Sequence, residues 1–362
     1  MLSEPGRSYT TRRFAMILLL GADSYVGQAF AEALRRRKGS FIPLSRSALD
    51  YMRFDFLFDY VRKVKPELVI NAEEKSLWPK GVMKAAGLEV TAGGNGGQKP
   101  ELLNKAEGEL GRMEMLETNT LLPQTIARVC SITNTPWGHV SSGSIFCGTK
   151  VYENGNFRLE KELSGPAMRR FFSRFPERVR GFSELDDPNF TFKQPPCTFY
   201  SGTKALAEES IQYYPQNYTW RFCYPFSQRD DRHNLLSQLR DGFKTHDALN
   251  TLSQVDDCVS ACLDLWERRA PYGIYNVVNP GVVSTHEVVR KIQRILKPIR
   301  RFELLVYESE TVGVDGMGTY PDCILDPSKL LRTGIRLREV GEALERALEK
   351  WEPRRANVKQ FA

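Results

Sequence analysis

Met16-Ile17-Leu18-Leu19-Leu20-Gly21-Ala22-Asp23-Ser24-Tyr25-Val26-Gly27 is the stretch on which the reading of this chain turns. The apolar run Met16–Leu20 is short enough to be a strand buried on both faces. Gly21 at its end permits a tight turn. Beyond the turn, Val26, Phe30 and Leu34 recur at helical spacing, and the segment Tyr25–Arg37 ends in a basic turn, as a helix C-terminus prefers. The alternation continues outward. Ser40–Leu44 reads as a second strand, Phe54–Val64 as a helix stopped by Pro66, and Glu67–Asn71 as a third strand. Short connections between such elements imply parallel strands joined by right-handed crossovers. Later segments fit the same pattern: Thr118–Ser131 and Tyr200–Tyr213 as helices, Trp137–Ser141 and Tyr218–Cys223 as strands.

A glycine loop in the first strand-to-helix turn, Gly21, Asp23, Ser24, Tyr25, Val26 and Gly27, places helix N–H groups where a pyrophosphate binds. Ser24 stands where a middle glycine is usual. The fold class expected is therefore α/β, a Rossmann doubly wound parallel sheet. The second strand ends in Ser45-Arg46 rather than an acid. A guanidinium there suits a 2′-phosphate, so NADP(H) is expected in preference to NAD(H). Asp55, opening the next helix, is either an acceptor for the adenine amine or a helix cap.

Tyr200 and Lys204 lie four residues apart, on one face of a helix. An ammonium beside a phenol stabilises the phenolate, and the phenol can pass a proton to or from a carbonyl oxygen. Ser142, at the C-terminal end of the Trp137–Ser141 strand, stands where ligands bind in a parallel sheet and can bond the same oxygen.

These features, in this order, resemble the extended short-chain dehydrogenase/reductase superfamily over about residues 15–350. Longer blocks narrow the resemblance. Gly181–Thr191 leading to Phe199–Ala205, and Tyr275–Ser284, are similar to nucleotide-rhamnose synthase/epimerase-reductases. Tyr320–Leu330 is similar to the closing segment of dTDP-4-dehydrorhamnose reductases. The resemblance implies reduction of a 4-keto-6-deoxy sugar nucleotide by NADPH. It makes Tyr200 the general acid, Lys204 its activator, Ser142 their partner, and Asn71 and Ala72 part of the cofactor cleft. Ser144, Asn189, Arg229, Arg232 and Asn234 become substrate-side candidates, the arginines for a diphosphate. Val255-Asp256-Asp257 reads as a structural tie between domains.

Departures from the pattern also carry information. Dehydratases of the superfamily place an Asp-Glu pair where Gly143 and Ser144 follow Ser142, so water elimination is not expected. The bifunctional enzymes epimerise with a cysteine and a lysine, and here those positions fall near Gly108 and on Gln238. A reductase without epimerase activity is the expectation. The alternatives are a C4-epimerase of nucleotide sugars, which would keep NAD and so conflicts with Arg46, and a non-catalytic reductase-like subunit.

The resemblance implies a cofactor domain over 15–223 with 252–280 and a smaller, discontinuous C-terminal substrate domain over 224–251 with 281–350, flanked by tails over 1–14 and 351–362. Two insertions, about 73–107 and 150–196, interrupt the cofactor domain. The first holds the glycine run Ala92–Gly97. The second holds Met168–Gly181, where Arg169, Arg170, Arg174, Arg178 and Arg180 mix with phenylalanines. That run reads foremost as a solvated helix, ahead of a basic cover for the sugar site or a nucleic-acid patch.

The chain has 362 residues and a formal charge of +7. A cofactor and a sugar nucleotide are anionic partners enough for that charge, without nucleic acid. No apolar run approaches a membrane span, and Gly21-Ala22-Asp23 cuts short any signal-peptide core. Seven cysteines without CxxC pairs suit a reducing cytoplasm, with Cys258 and Cys262 as core residues and no metal site. His139, His233, His246 and His286 do not cluster in sequence. A homodimer is compatible with all of this.

Overall fold

The structure is a computed structural model. It describes residues 16–76, 100–163, 165–241, 247–298 and 321–354, without the side chains of 100–107 and 166. The tail 1–14, the glycine run Ala92–Gly97 and His246 lie outside the described residues.

The strands are β1 Ile17–Leu20, β2 Phe41–Leu44, β3 Leu68–Asn71, β4 Trp137–Ser142, β5 Thr149–Glu153, β6 Asn156–Glu160, β7 Val179–Arg180, β8 Asn217–Phe222, β9 Pro225–Phe226, β10 Leu249–Asn250, β11 Ser253–Gln254, β12 Gly273–Asn276 and β13 Val283–Ser284. The helices are α1 Tyr25–Arg36, α2 Phe54–Val64, α3 Pro100–Leu116, α4 Leu122–Ile132, α5 Pro166–Arg174, α6 Phe199–Ile211, α7 Leu235–Arg240, α8 Val255–Glu267, α9 Thr285–Leu296, α10 Ser328–Arg332 and α11 Val340–Glu349. A π-helical turn, Glu117–Leu121, joins α3 to α4.

Six strands form a wholly parallel sheet in the order β12-β8-β4-β3-β1-β2. Side chains alternate across a strand, and β1 shows the consequence. Ile17 and Leu19 enter a core with α1 and α8, while Leu18 and Leu20 enter a second core with α2 and α4. Covering on both faces is why the strand reads as an unbroken apolar run. From β1 the chain steps to β2 on one side and to β3 on the other. A crevice therefore opens between the C-terminal ends of β1 and β3, the place where such sheets bind ligands.

A third core gathers Phe226, Leu236, Val283, Ile292 and Leu344 from β9, α7, β13, α9 and α11. Asp256 of α8 pairs with Arg229 at 2.9 Å and Asp257 with Arg338 at 2.5 Å, so these acids do tie this unit to the sheet. The segment read as an insertion over 150–196 contains an antiparallel sheet in the order β6-β5-β7, together with α5. It is held by Asp322, whose carboxylate accepts the amides of Leu163 at 2.9 Å and Leu249 at 2.5 Å. Of the other insertion, residues 73–76 follow β3, and the described residues from 100 onward belong to α3.

Candidate active site

The β1–α1 turn is closed by Ser24. It caps α1: its Oγ accepts the Gly27 amide at 2.9 Å and donates to the Ala72 carbonyl at 2.7 Å. The serine thus bonds the loop to the end of β3. Gly21 has φ +72°, and a Cβ there would stand 2.6 Å from the Glu73 amide nitrogen. A Cβ on Gly27 would meet the Gly21 carbonyl oxygen at 1.9 Å. Both glycines are demanded by close backbone approach. The first amides of α1, those of Tyr25 and Val26, have no acceptor within the helix, which makes the helix start an anion site. Asp23 is exposed beside them. The Tyr25 hydroxyl donates to Ser227 Oγ at 2.8 Å and pins the turn to the third core's unit.

At the end of β2 the Ser45 and Ser47 hydroxyls share a 2.8 Å bond. Arg46 is exposed and reaches Thr118 Oγ1 at 3.3 Å. Asp55 is exposed and pairs with Arg53 at 2.6 Å, which holds its carboxyl below the ordinary range. It is neither buried in the crevice nor the cap of α2. Asn71 is buried, its amide 3.1 Å from His139 Nδ1, and its Oδ1 accepts the Glu73 amide at 3.1 Å.

Lys204 is fully buried beneath Tyr200, with its Nζ 5.8 Å from the centre of the tyrosine ring and donating to the Val140 carbonyl at 3.3 Å. Burial pushes its pKa down, and the carboxylates of Glu74, Glu208 and Glu73 push it back up. Two residues beyond Val140, Ser142 caps the 3-10 turn Gly143–Ile145, against which α6 packs. Ser142 Oγ donates to Ser144 Oγ at 2.9 Å, so the hydroxyls of β4 and the following turn form a pair. Strand alternation turns the preceding Ser141 the other way. It donates to Glu208 Oε1 at 2.5 Å, within a buried network where Arg221 donates to Glu208 Oε2 at 2.7 Å.

Three residues beyond those anticipated shape this site. The Tyr200 hydroxyl donates to Glu74 Oε1 at 3.0 Å. Glu73 accepts from Tyr51, and burial raises its pKa. Asn119, in the π-helical turn, accepts the Lys75 amide at 3.0 Å, donates to the Lys75 carbonyl at 2.9 Å and reaches Thr203 Oγ1 at 3.2 Å. It clamps the acidic segment against α6. The acids were visible directly after the third strand as Glu73-Glu74. No sequence signal announced the π turn that aims Asn119 inward.

The substrate-side candidates are more scattered. Ser144 is at the site. Asn189 holds the main chain of Cys147, accepting its amide at 2.8 Å and donating to its carbonyl at 3.0 Å. Arg229 is committed to Glu32 at 2.7 Å and Asp256 at 2.9 Å. Asn234 is buried as the cap of α7 and donates to the carbonyls of Ser227 and Arg229. Arg232 is exposed. The terminal nitrogens of Arg229 and the side-chain amide of Asn234 have partners within the framework, while Arg229 Nε is buried without one among the described residues. Gln238 is buried and donates to the Arg232 carbonyl at 3.0 Å, and Gly108 lies on the open surface of α3.

No family model matches the chain. Comparison with curated proteins finds the bifunctional dTDP-4-dehydrorhamnose 3,5-epimerase/dTDP-4-dehydrorhamnose reductase of Arabidopsis thaliana, 33% identical over 165 residues, covering 45% of this chain and 52% of that protein. Over that segment the chain is similar in sequence to about half of a dTDP-4-dehydrorhamnose epimerase/reductase. A trifunctional UDP-glucose 4,6-dehydratase/UDP-4-keto-6-deoxy-D-glucose 3,5-epimerase/UDP-4-keto-L-rhamnose-reductase of the same plant is 27% identical over 165 residues, 45% of this chain and 24% of that protein. The matched region thus spans about half of the first relative and a quarter of the second. The fold likeness reaches further. The UDP-rhamnose synthase of Acanthamoeba polyphaga mimivirus superposes with a TM-score of 0.66 at 16% identity, over 93% of this chain and 99% of that one. The dTDP-4-dehydrorhamnose reductase of Bacillus anthracis, solved in complex with NADP, gives 0.64 at 16% identity, over 93% and 98%. Among the described residues no helix is long and apolar enough to cross a membrane.

Proposed function

We propose that this chain is an NADPH-dependent reductase of a nucleotide-linked 4-keto-6-deoxyhexose, of the 4-dehydrorhamnose type on dTDP or UDP, without 3,5-epimerase activity. The observation that carries the reading is Lys204, buried behind Tyr200 beside the Ser142 strand end. The cofactor fits the donor set: a closed glycine turn, the open amides of Tyr25 and Val26, and Arg46 beside the crevice. NADP bound in the similar Bacillus anthracis structure supports a nicotinamide cofactor, and Arg46 supports the phosphorylated form.

When bound, NADPH supplies a hydride to the carbonyl carbon. The chain's own residues do the rest. Ser142 and Tyr200 bond the carbonyl oxygen, and Tyr200 gives it a proton as its charge develops. The Lys204 ammonium stabilises the phenolate that remains. Gln238 and Gly108 offer no group able to take a proton from carbon, which supports reduction alone. Seven unpaired cysteines support a reducing cytoplasm as the place of work. The test is NADPH oxidation against dTDP-, UDP- and GDP-linked 4-keto-6-deoxyhexoses. Turnover with one nucleotide series is expected, and none with any, by folded protein that binds NADPH, would refute the assignment.

A further inference from the structure

The catalytic tyrosine faces an acid as well as a lysine. Glu74 stands on the segment after β3, and its Oε1 accepts the Tyr200 hydroxyl at 3.0 Å. The contact is built rather than incidental. Asn119 grips both main-chain polar atoms of Lys75, the next residue, and the same Asn119 amide reaches Thr203 on the helix that carries Tyr200. One side chain therefore fixes the spacing between the carboxylate and the phenol. Lys75 is itself paired with Glu114 at 2.6 Å.

We propose that Glu74 holds the proton of Tyr200, keeping the phenol loaded for reduction against the pull of Lys204, and returns a proton to it from solvent after each turnover. A carboxylate that accepts from a phenol favours its neutral form, and a nearby ammonium favours the phenolate. Lys204 alone would bias Tyr200 toward phenolate, the form that abstracts a proton from an alcohol. Reduction needs the opposite form.

The proton balance closes. The phenol O–H breaks as the proton passes to the substrate oxygen, which becomes the hydroxyl of the product. The phenolate then lies against the Glu74 carboxylate. Glu74 is exposed, so it takes a proton from solvent and passes it to the phenolate. No electron moves in this return step. The proposal rests on the reductase reading, since only that reading requires a protonated Tyr200.

Several charged and titratable groups near Tyr200 among the described residues are engaged elsewhere. Glu73, beside Glu74, accepts from Tyr51. Burial, and secondly the Lys204 ammonium, push the His139 pKa down. Glu208 is bound by Ser141 and Arg221. On α3, Glu114 pairs with Lys75, and Arg112 lies over the Phe199 ring at 5.7 Å.

The test reads the tyrosine directly and needs no substrate. The chain has 14 tyrosines, so ring-carbon NMR of 13C-labelled protein is followed against pH, with Tyr200 assigned by its loss in Y200F. In E74Q the Tyr200 titration is expected to move down by about one pH unit. E74D, which keeps the charge, should restore most of the shift. With an accepted substrate, the alkaline fall in kcat should begin lower in E74Q by the same amount, with KM little changed. Coincident Tyr200 curves in wild type and E74Q, including two flat curves, would overturn the proposal. Failure of every substrate panel would instead refute the reductase reading and leave the titration result standing on its own.

Discussion

Lys204 donates to the carbonyl oxygen of Val140 at 3.3 Å, and this bond joins the helix that carries Tyr200 to the strand that ends in Ser142. The two halves of the proposed oxyanion site are thereby held in one frame. The lysine is buried yet has three acidic neighbours, so its charge is costly but compensated. Replacing Tyr200 by Phe leaves this frame untouched and removes only the donor. Turnover should fall by about 10²- to 10⁴-fold with little change in melting temperature. Unchanged steady-state turnover would remove Tyr200 from the role of acid.

Arg46 is exposed and, among the described residues, its hydrogen bond is to Thr118 Oγ1 at 3.3 Å, so it can turn toward a phosphate at small cost. Arg46→Ala should weaken NADPH binding by about 10- to 100-fold, the worth of a charge-assisted contact, and leave NADH binding nearly unchanged. Calorimetric titration with both cofactors measures the ratio. Equal losses for the two would place the 2′-phosphate elsewhere.

Much of the architecture was legible from the first strand and turn. Phe54–Val64 was read with the ends it has, and five of the sheet's six strands lie within a residue of the reading; β12 was not read, and the helix read as Thr118–Ser131 begins as the π turn Glu117–Leu121 before α4. Apolar runs and helical spacing report burial, and burial is what a two-sided parallel sheet imposes. Tyr200 and Lys204 were legible as neighbours because a spacing of four puts them on one helix face, where the ammonium lies 5.8 Å from the ring centre. Arg229 and Asn234 misled because composition shows that a residue is basic or polar, and not which partner already holds it. Only the fold brings Glu32 and Asp256 to Arg229. Glu74 went unread for the converse reason: its partner is 126 positions away.

Gln238 has a neutral amide and Gly108 no side chain at all, so neither takes a proton from carbon. Incubation with the 4-keto sugar nucleotide in deuterated water, without NADPH, should leave C3 and C5 unlabelled by mass spectrometry. Deuterium at either carbon would show that another group, with Glu74 the first to examine, enolises the substrate.

Asp322 anchors the segment that carries β5, β6 and β7, and burial raises its pKa to about 6 despite the amides of Leu163 and Leu249. The folded-state value lies above that of the unfolded chain, near 3.8. Its contribution to stability is therefore complete below about pH 4 and lost as pH rises through 6. D322N does not titrate. Between pH 4 and 7 the stability of wild type relative to D322N should drop by roughly 2–3 kcal/mol in urea unfolding. Parallel stability profiles would show that Asp322 is not perturbed.

Hydride transfer to C4 is the centre of the account, and isotope tracing reads it directly. The protein is supplied with NADPH carrying deuterium at both positions of nicotinamide C4, together with the 4-keto-6-deoxyhexose nucleotide that it accepts. The account requires one deuterium at C4 of the product sugar and none at C3 or C5, with one NADPH consumed per sugar. Product lacking deuterium at C4, or no product from protein shown to bind both ligands, would contradict it.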